Sequence, residues 1–89
     1  MRAIVTVIGK DQVGIIAEVC SLLAEHNVNV LDISQTILQE YFTMIMLVDT
    51  ANVTVSFAEL VKKLEQAGEK RALSIRIQRE DIFEAMHRI

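Results

Sequence analysis

The stretch VNVLDISQTILQEYFTMIMLVD, residues 28–49, decides the fold because it predicts two consecutive strands in the middle of the chain. Residues 30–38 and 42–48 are both rich in β-branched and other apolar side chains, which favour extended structure. The link between them is short, although it lacks the Asn-Gly pair of the tightest hairpins. We therefore expect an antiparallel hairpin here.

An amphipathic helix is predicted on each side of this hairpin. Residues 15–26 place apolar side chains at helical spacing, with polar residues on the opposite side. In the second helix, Ser56 and Glu59 have the spacing of a capping box, which marks a helix start. An apolar stripe follows from Phe57 to Ala67, and Gly68 is expected to end the helix.

The first and the last strand in the chain complete the pattern, and the first is expected to be central in the sheet. Residues 3–8 form a β-branched run that is apolar on both sides, whereas residues 73–78 alternate between apolar and polar side chains, as at a sheet edge. The order strand, helix, strand, strand, helix, strand predicts an α+β, ferredoxin-like βαββαβ sandwich. Right-handed crossovers give one four-stranded antiparallel sheet of order 4-1-3-2, with two helices on one face.

The second face of this sheet is expected to be covered, because the first three strands carry apolar residues on both sides. Residues 80–89 place apolar side chains at helical spacing, but so short a helix is not stable alone. We expect this C-terminal helix to dock, either on its own sheet or on another subunit.

Composition limits the possible functions. A length of 89 residues allows one domain, 1–89, and an apolar content of 52% is high for that size, which indicates a partner such as a second copy. A net charge of −3 with scattered basic residues argues against nucleic acid binding. The single cysteine, Cys20, fits a cytoplasmic protein, and no apolar run is long enough to span a membrane.

The link between the first strand and the first helix, Gly9 to Ile15, has the most functional content. A helix N-terminus offers unpaired N–H groups that can hold a carboxylate, and Asp11 could accept from an ammonium group, which together suit an amino acid. The alternative is structural: Asp11 caps the helix, Gly9 makes the turn and Gly14 eases packing. Local spacing leaves both open.

The residues resemble the ACT domain family over essentially the whole chain. The similarity rests on Gly9-Lys10-Asp11-x-x-Gly14-Ile15, on Glu25-His26-Asn27-Val28-Asn29-Val30 and on Asp32-Ile33-Ser34-Gln35-Thr36. The chain is most similar to small bacterial proteins that consist of one ACT domain, and more distantly to the glycine cleavage system regulator. Such domains generally bind amino acids or other small effectors at subunit interfaces.

The resemblance also implies a ligand site. It would consist of a loop, with a second contact that comes across a homodimer from the start of the second strand; the residues are Asp11, Gln12, Val13, Gly14, Ile15 and Asn29. The polar residues at 32–36 either line a pocket with Asn29 or face water at an exposed edge.

These observations predict a non-catalytic regulatory domain that binds a small effector, an amino acid, at a homodimer interface. The alternative is a protein interaction module that dimerises and binds a regulator or enzyme without a small ligand. No histidine or cysteine pair has ligand spacing, so we expect neither a metal nor a cofactor. No acid–base pair or activated nucleophile accompanies the loop, so we expect no enzyme activity.

Overall fold

The computed structural model describes residues 1–87 and shows the predicted βαββαβ order followed by a C-terminal helix. The elements are β1 (Arg2–Lys10), α1 (Ile15–Glu25), β2 (Asn29–Leu38), β3 (Tyr41–Asp49), α2 (Phe57–Lys70), β4 (Ser74–Arg79) and α3 (Glu80–His87). The sheet order is β2-β3-β1-β4 and all pairs are antiparallel, which confirms the predicted ferredoxin-like topology. The end of the predicted tail, residues 88 and 89, lies outside the described residues.

The two edges of the sheet are β2 and β4. β3 runs from Tyr41, opposite Lys10 of β1 and Leu38 of β2, to Asp49, opposite Arg2 and Asn29. The pairing of β2 with β3 is interrupted once, by a bulge between residues 30 and 32. One end of the sheet therefore carries the β1–α1 loop and the hairpin, and the other end carries the start of β2.

The core lies between the sheet and the helices α1 and α2. The strands supply every second residue to this layer, as expected when one sheet face is packed. Its buried side chains include Ala3, Val5, Val7, Ile15, Val19, Leu23, Phe42, Met44, Met46, Val48, Leu60, Leu64, Ile75 and Ile77.

The opposite sheet face is only partly covered. Helix α3 packs against β1 and β4 of its own chain, where Arg2 Nη2 and Glu80 Oε2 form a 2.8 Å ion pair. Ile4 on this face is nearly buried, whereas Ile8 and Ile45 remain exposed. Within the described residues, the expected cover over this face is therefore incomplete.

The prediction that Gly68 ends the second helix is wrong. Helix α2 continues to Lys70, and Gly68 is a buried helical residue. A Cβ atom at Gly68 would lie 2.6 Å from the carbonyl oxygen of Leu73, so the glycine allows the chain entering β4 to approach the helix closely. The turn is made instead at Ala72, which has a φ of 58°.

The start of α2 agrees with its sequence pattern. The Ser56 hydroxyl oxygen accepts a 3.1 Å hydrogen bond from the backbone N–H of Glu59, as a capping residue does. Within the described part of the chain, no helix is long and apolar enough to cross a membrane.

Candidate functional site

The loop between β1 and α1 is tied to the β2–β3 hairpin. β1 continues through Gly9 to Lys10, so Gly9 pairs with Phe42 inside the sheet and does not make the turn. The backbone N–H of Asp11 then donates a 2.7 Å hydrogen bond to the carbonyl oxygen of Glu40. The loop of residues 11–14 is thereby fixed at the hairpin end of the sheet.

Gly14 starts helix α1 in a conformation that favours glycine. Its φ is 87° and its ψ is 6°, in the left-handed region where other residues are strained. No side chain caps this helix end, so Asp11 is not the helix cap that the structural alternative required. The exposed Asp11 carboxylate and the uncapped helix N-terminus are therefore both available to a ligand.

A small open cavity lies beside this helix end. Its volume is about 230 Å³, and it combines the loop, the first turn of α1, the start of β3 and the outer half of β2. The lining residues are Asp11, Gln12, Gly14, Ile15, Ile16, Ala17, Gln35, Ile37 and Phe42. The cavity thus presents the Asp11 carboxylate and Gln35 next to an apolar wall, whereas the Gln12 amide hydrogen-bonds to Arg71.

The structure brings four of the six predicted site residues together. Asp11, Gln12, Gly14 and Ile15 all line the cavity, although the Ile15 side chain belongs mainly to the core. Val13 belongs to the same loop, but its side chain is 97% exposed and does not line the cavity.

Asn29 is not part of the site within one chain. It pairs with Asp49, whereas the loop contacts the opposite end of β3 at Glu40. The nine residues from Tyr41 to Asp49 span about 26 Å of strand, so Asn29 can reach a cavity of this kind only in another copy.

From the sequence, Gln35 was expected either to line a pocket or to face water, and Ile37 was not assigned to the site. Strand alternation explains their position, because Gln35 and Ile37 pair with Met44 and Phe42 and share their side of the sheet. Asp32, Ser34 and Thr36 lie on the other side and are exposed. Of the four polar residues in this run, Gln35 therefore lines the cavity, whereas Asp32, Ser34 and Thr36 are exposed on the other face.

Arg71, at the end of α2, was also missed. Its guanidinium forms an ion pair with Glu18 of α1 and donates from Nη1 to the Val13 carbonyl oxygen over 3.1 Å. Gln12 Nε2 donates in return to the Arg71 carbonyl oxygen over 2.7 Å. No local pattern reveals this contact, because Gln12 and Arg71 are 59 residues apart.

Large apolar side chains are exposed around the cavity. They belong to the loop, to α1 and to the hairpin, and they are Val13, Ile16, Ile37, Leu38 and Tyr41. Such a concentration at one end of a sheet is typical of an interface. In the described part of the chain, no group of three or more histidine, cysteine, aspartate or glutamate residues could hold a metal ion.

Comparison with known proteins identifies relatives of the same length. A UPF0237 protein of Clostridium acetobutylicum is 58% identical over 89 residues, which cover all of both chains. A UPF0237 protein of Methanocaldococcus jannaschii is 54% identical over 88 residues, which cover 99% of this chain and 98% of the relative.

Solved structures share the fold. An ACT domain protein from Streptococcus pneumoniae has a TM-score of 0.82 and 45% identity, with 98% of both chains covered. The regulatory subunit of aspartate kinase from Thermus thermophilus, in its ligand-free form, has a TM-score of 0.67 and 28% identity over 86% of this chain and 50% of that one. A putative glycine cleavage system transcriptional repressor shares the fold alone, with a TM-score of 0.70 and 24% identity over 86% of this chain and 44% of that one.

The family assignment follows from the extent of these matches. The sequence model described as the ACT domain matches residues 2–78, which include every strand of the sheet except the last residue of β4. With the small relatives and the S. pneumoniae structure, this match shows that the chain belongs to the ACT domain family.

Proposed function

We propose that the protein is a cytoplasmic, non-catalytic regulatory domain that binds a small effector, an amino acid, at the interface of a homodimer. The cavity between the Asp11 loop and the outer half of β2 carries the proposal, because it combines polar groups, an uncapped helix end and an apolar wall. The similarity to a protein named as a regulatory subunit of aspartate kinase supports a regulatory role.

The chemistry of the cavity suits a zwitterion with an uncharged side chain. The N-terminal end of α1 favours a negative group such as a carboxylate. Asp11 provides a negative partner for an ammonium group a short distance away. Ile37 and Phe42 would then contact the effector side chain, since they form the apolar wall.

The two sheet edges differ in a way that favours dimerisation through β2. β4 has six residues, two of which are arginines, and basic side chains discourage strand addition. β2 has ten residues, of which only Asp32 is charged, and its exposed Ile33 and Ile37 flank the free edge. A second β2 strand added antiparallel would pair the free backbone groups and cover these isoleucines.

This arrangement would also explain the role of Asn29. When two β2 strands pair antiparallel about a two-fold axis, the start of one strand lies beside the end of the other. The end of β2, at Leu38, is next to the hairpin that holds Asp11. Asn29 of one copy would therefore approach the loop of its partner and complete the site.

A thermal-shift screen against the twenty amino acids, combined with sedimentation, tests the proposal. A ligand at about 100 times its Kd adds roughly 2.7 kcal/mol, which raises the midpoint by several degrees in a domain of this size. We expect one or a few amino acids to stabilise a dimer, and both Asp11→Ala and Asn29→Ala to abolish the shift. Glu65→Ala is the matched control, because this exposed carboxylate lies on α2 and does not line the cavity.

A protein interaction module is the second candidate function. The partly open sheet face favours it, because Ile8 and Ile45 remain exposed there. A stable dimer whose midpoint no amino acid shifts would support this function and contradict amino acid binding.

A further inference from the structure

We infer that Arg71 is the positioning residue of the ligand loop and couples the shape of that loop to the end of helix α2. The inference rests on the proposed function only in treating residues 11–14 as a ligand loop. The coupling itself is a property of the contacts within the chain.

Arg71 joins the loop to two helices at once. Its Nε pairs with the Glu18 carboxylate on the first turn of α1, and its Nη1 donates to the Val13 carbonyl oxygen over 3.1 Å. Nη1 also lies 3.4 Å from Gln12 Oε1, while Gln12 Nε2 donates to the carbonyl oxygen of Arg71 itself over 2.7 Å. One side chain thus satisfies acceptors in the loop and in α1.

The pattern requires an arginine. A guanidinium offers several N–H donors in a rigid plane, so it can serve a carboxylate and a carbonyl oxygen in different directions. A lysine ammonium keeps the charge but is a single point on a flexible chain, and it would not hold both groups in the same geometry. The role is therefore one of geometry as well as charge.

Arg71 contacts the loop on the side that faces away from the cavity. Its Nη2 lies 3.6 Å from the place of a Cβ atom on Gly14, yet Arg71 does not line the cavity beside Asp11. Glu40 holds the loop from the hairpin side through Asp11, and Arg71 holds it from the helix side. A change at the end of α2 would therefore reach the ligand site without any contact to the ligand.

Amide hydrogen exchange on the full chain tests this coupling without a ligand. We expect Arg71→Gln to speed exchange at the Asp11 amide about tenfold relative to the wild type, since the loop loses its helix-side contacts. The exchange of the Val5 amide in the central strand β1 reports global unfolding and is used to correct for lost stability. Lys70→Gln is the matched control, because it removes a neighbouring positive charge at the same helix end.

Arg71→Lys separates geometry from charge. We expect this variant to exchange at Asp11 nearly as fast as Arg71→Gln. Exchange at the wild-type rate in Arg71→Lys, or equal acceleration at Asp11 and Val5 in Arg71→Gln, would overturn the inference.

Titration of the same variants with each of the twenty amino acids extends the test to binding. For any amino acid that binds the wild type, we expect Arg71→Gln to raise the Kd about tenfold and Lys70→Gln to leave it unchanged. An unchanged Kd in Arg71→Gln would contradict the positioning role. If no amino acid binds the wild type, the proposed function fails, while hydrogen exchange still decides the role of Arg71.

Discussion

The backbone N–H of Asp11 donates a 2.7 Å hydrogen bond to the carbonyl oxygen of Glu40, so the ligand loop and the β2–β3 hairpin form one unit. The residue before Glu40 is strained. Gln39 has a φ of 54°, in the left-handed region, within a two-residue link between Leu38 and Tyr41. Such conformations cost roughly 1–2 kcal/mol for residues other than glycine.

Replacement of Gln39 by glycine should stabilise the protein. Glycine removes the strain but gives the unfolded chain more freedom, so we expect a net gain of about 0.5–1 kcal/mol. Urea unfolding measures the change. Glu40→Gly is the control and should destabilise, because Glu40 is not among the residues with a positive φ. A loss of stability in Gln39→Gly would contradict the assigned strain.

Gly14→Ala should destabilise the fold by about 1–2 kcal/mol and weaken ligand binding. The added Cβ has room, since the Arg71 Nη2 atom would be 3.6 Å away, so the cost comes from the φ of 87°. Gly14→Asn should cost less, because asparagine tolerates this region better than alanine. Equal stabilities of the two variants in urea would show that conformation is not the cause.

Gly68→Ala should destabilise the protein, although alanine is the better helix former. The helix preference favours alanine by about 1 kcal/mol, but the Cβ would meet the Leu73 carbonyl oxygen at 2.6 Å. Overpacking against backbone costs about 1–3 kcal/mol, and we expect a net loss of about 1 kcal/mol. Gln66→Ala, at an exposed position of the same helix, should gain a few tenths of a kcal/mol in thermal unfolding.

Ile33→Lys should dissociate the proposed dimer. The side chain is 41% exposed beside the free edge of β2, so two new lysines would face each other across the two-fold axis. We expect the dimer Kd to rise at least about tenfold in sedimentation equilibrium, a change of about 1.4 kcal/mol. Ile82→Lys on α3, where the isoleucine is 46% exposed, should leave the Kd unchanged. The opposite result would place the interface on the α3 side.

A double-mutant cycle of Glu18→Gln and Arg71→Gln should show a coupling energy of about 0.5–1 kcal/mol. Both side chains are about one third exposed, so water screens the pair and the value stays near that of surface ion pairs. The coupling should decrease as salt is added, because the pair is partly accessible to solvent. Additive effects of the two substitutions on unfolding would exclude a direct interaction.

The features that could be predicted from the sequence are those set by residues close together in the chain, namely the strands and the helix start. Apolar, β-branched runs predicted the strands, right-handed crossovers predicted their order, and Ser56 with Glu59 marked the start of α2. Gly68 was misjudged because a glycine at a helix end and a glycine under a close backbone contact look the same in sequence.

The candidate site was only partly predictable. The loop could be recognised from its glycine, its acidic residue and the helix that follows it. The role of Gln35 stayed open and Arg71 was not recognised, because strand register brings one to the loop and the packing of α1 beside α2 brings the other. The predicted role of Asn29 depends on a second copy of the chain, because within one chain Asn29 lies at the opposite end of the sheet from the loop.

The two edges of the sheet, β2 and β4, differ in how readily they can accept another strand, and this difference would limit the size of an assembly. If two copies pair along β2, that edge is no longer free in either copy. The joined sheet then ends on both sides in a β4 strand that carries Arg76 and Arg79. The charged Arg76 side chains at both outer edges would disfavour further strand addition, whereas Arg79 is already paired with Asp81. Association would then stop at two copies. A sheet in which both edges can add a strand could instead grow into an open-ended polymer.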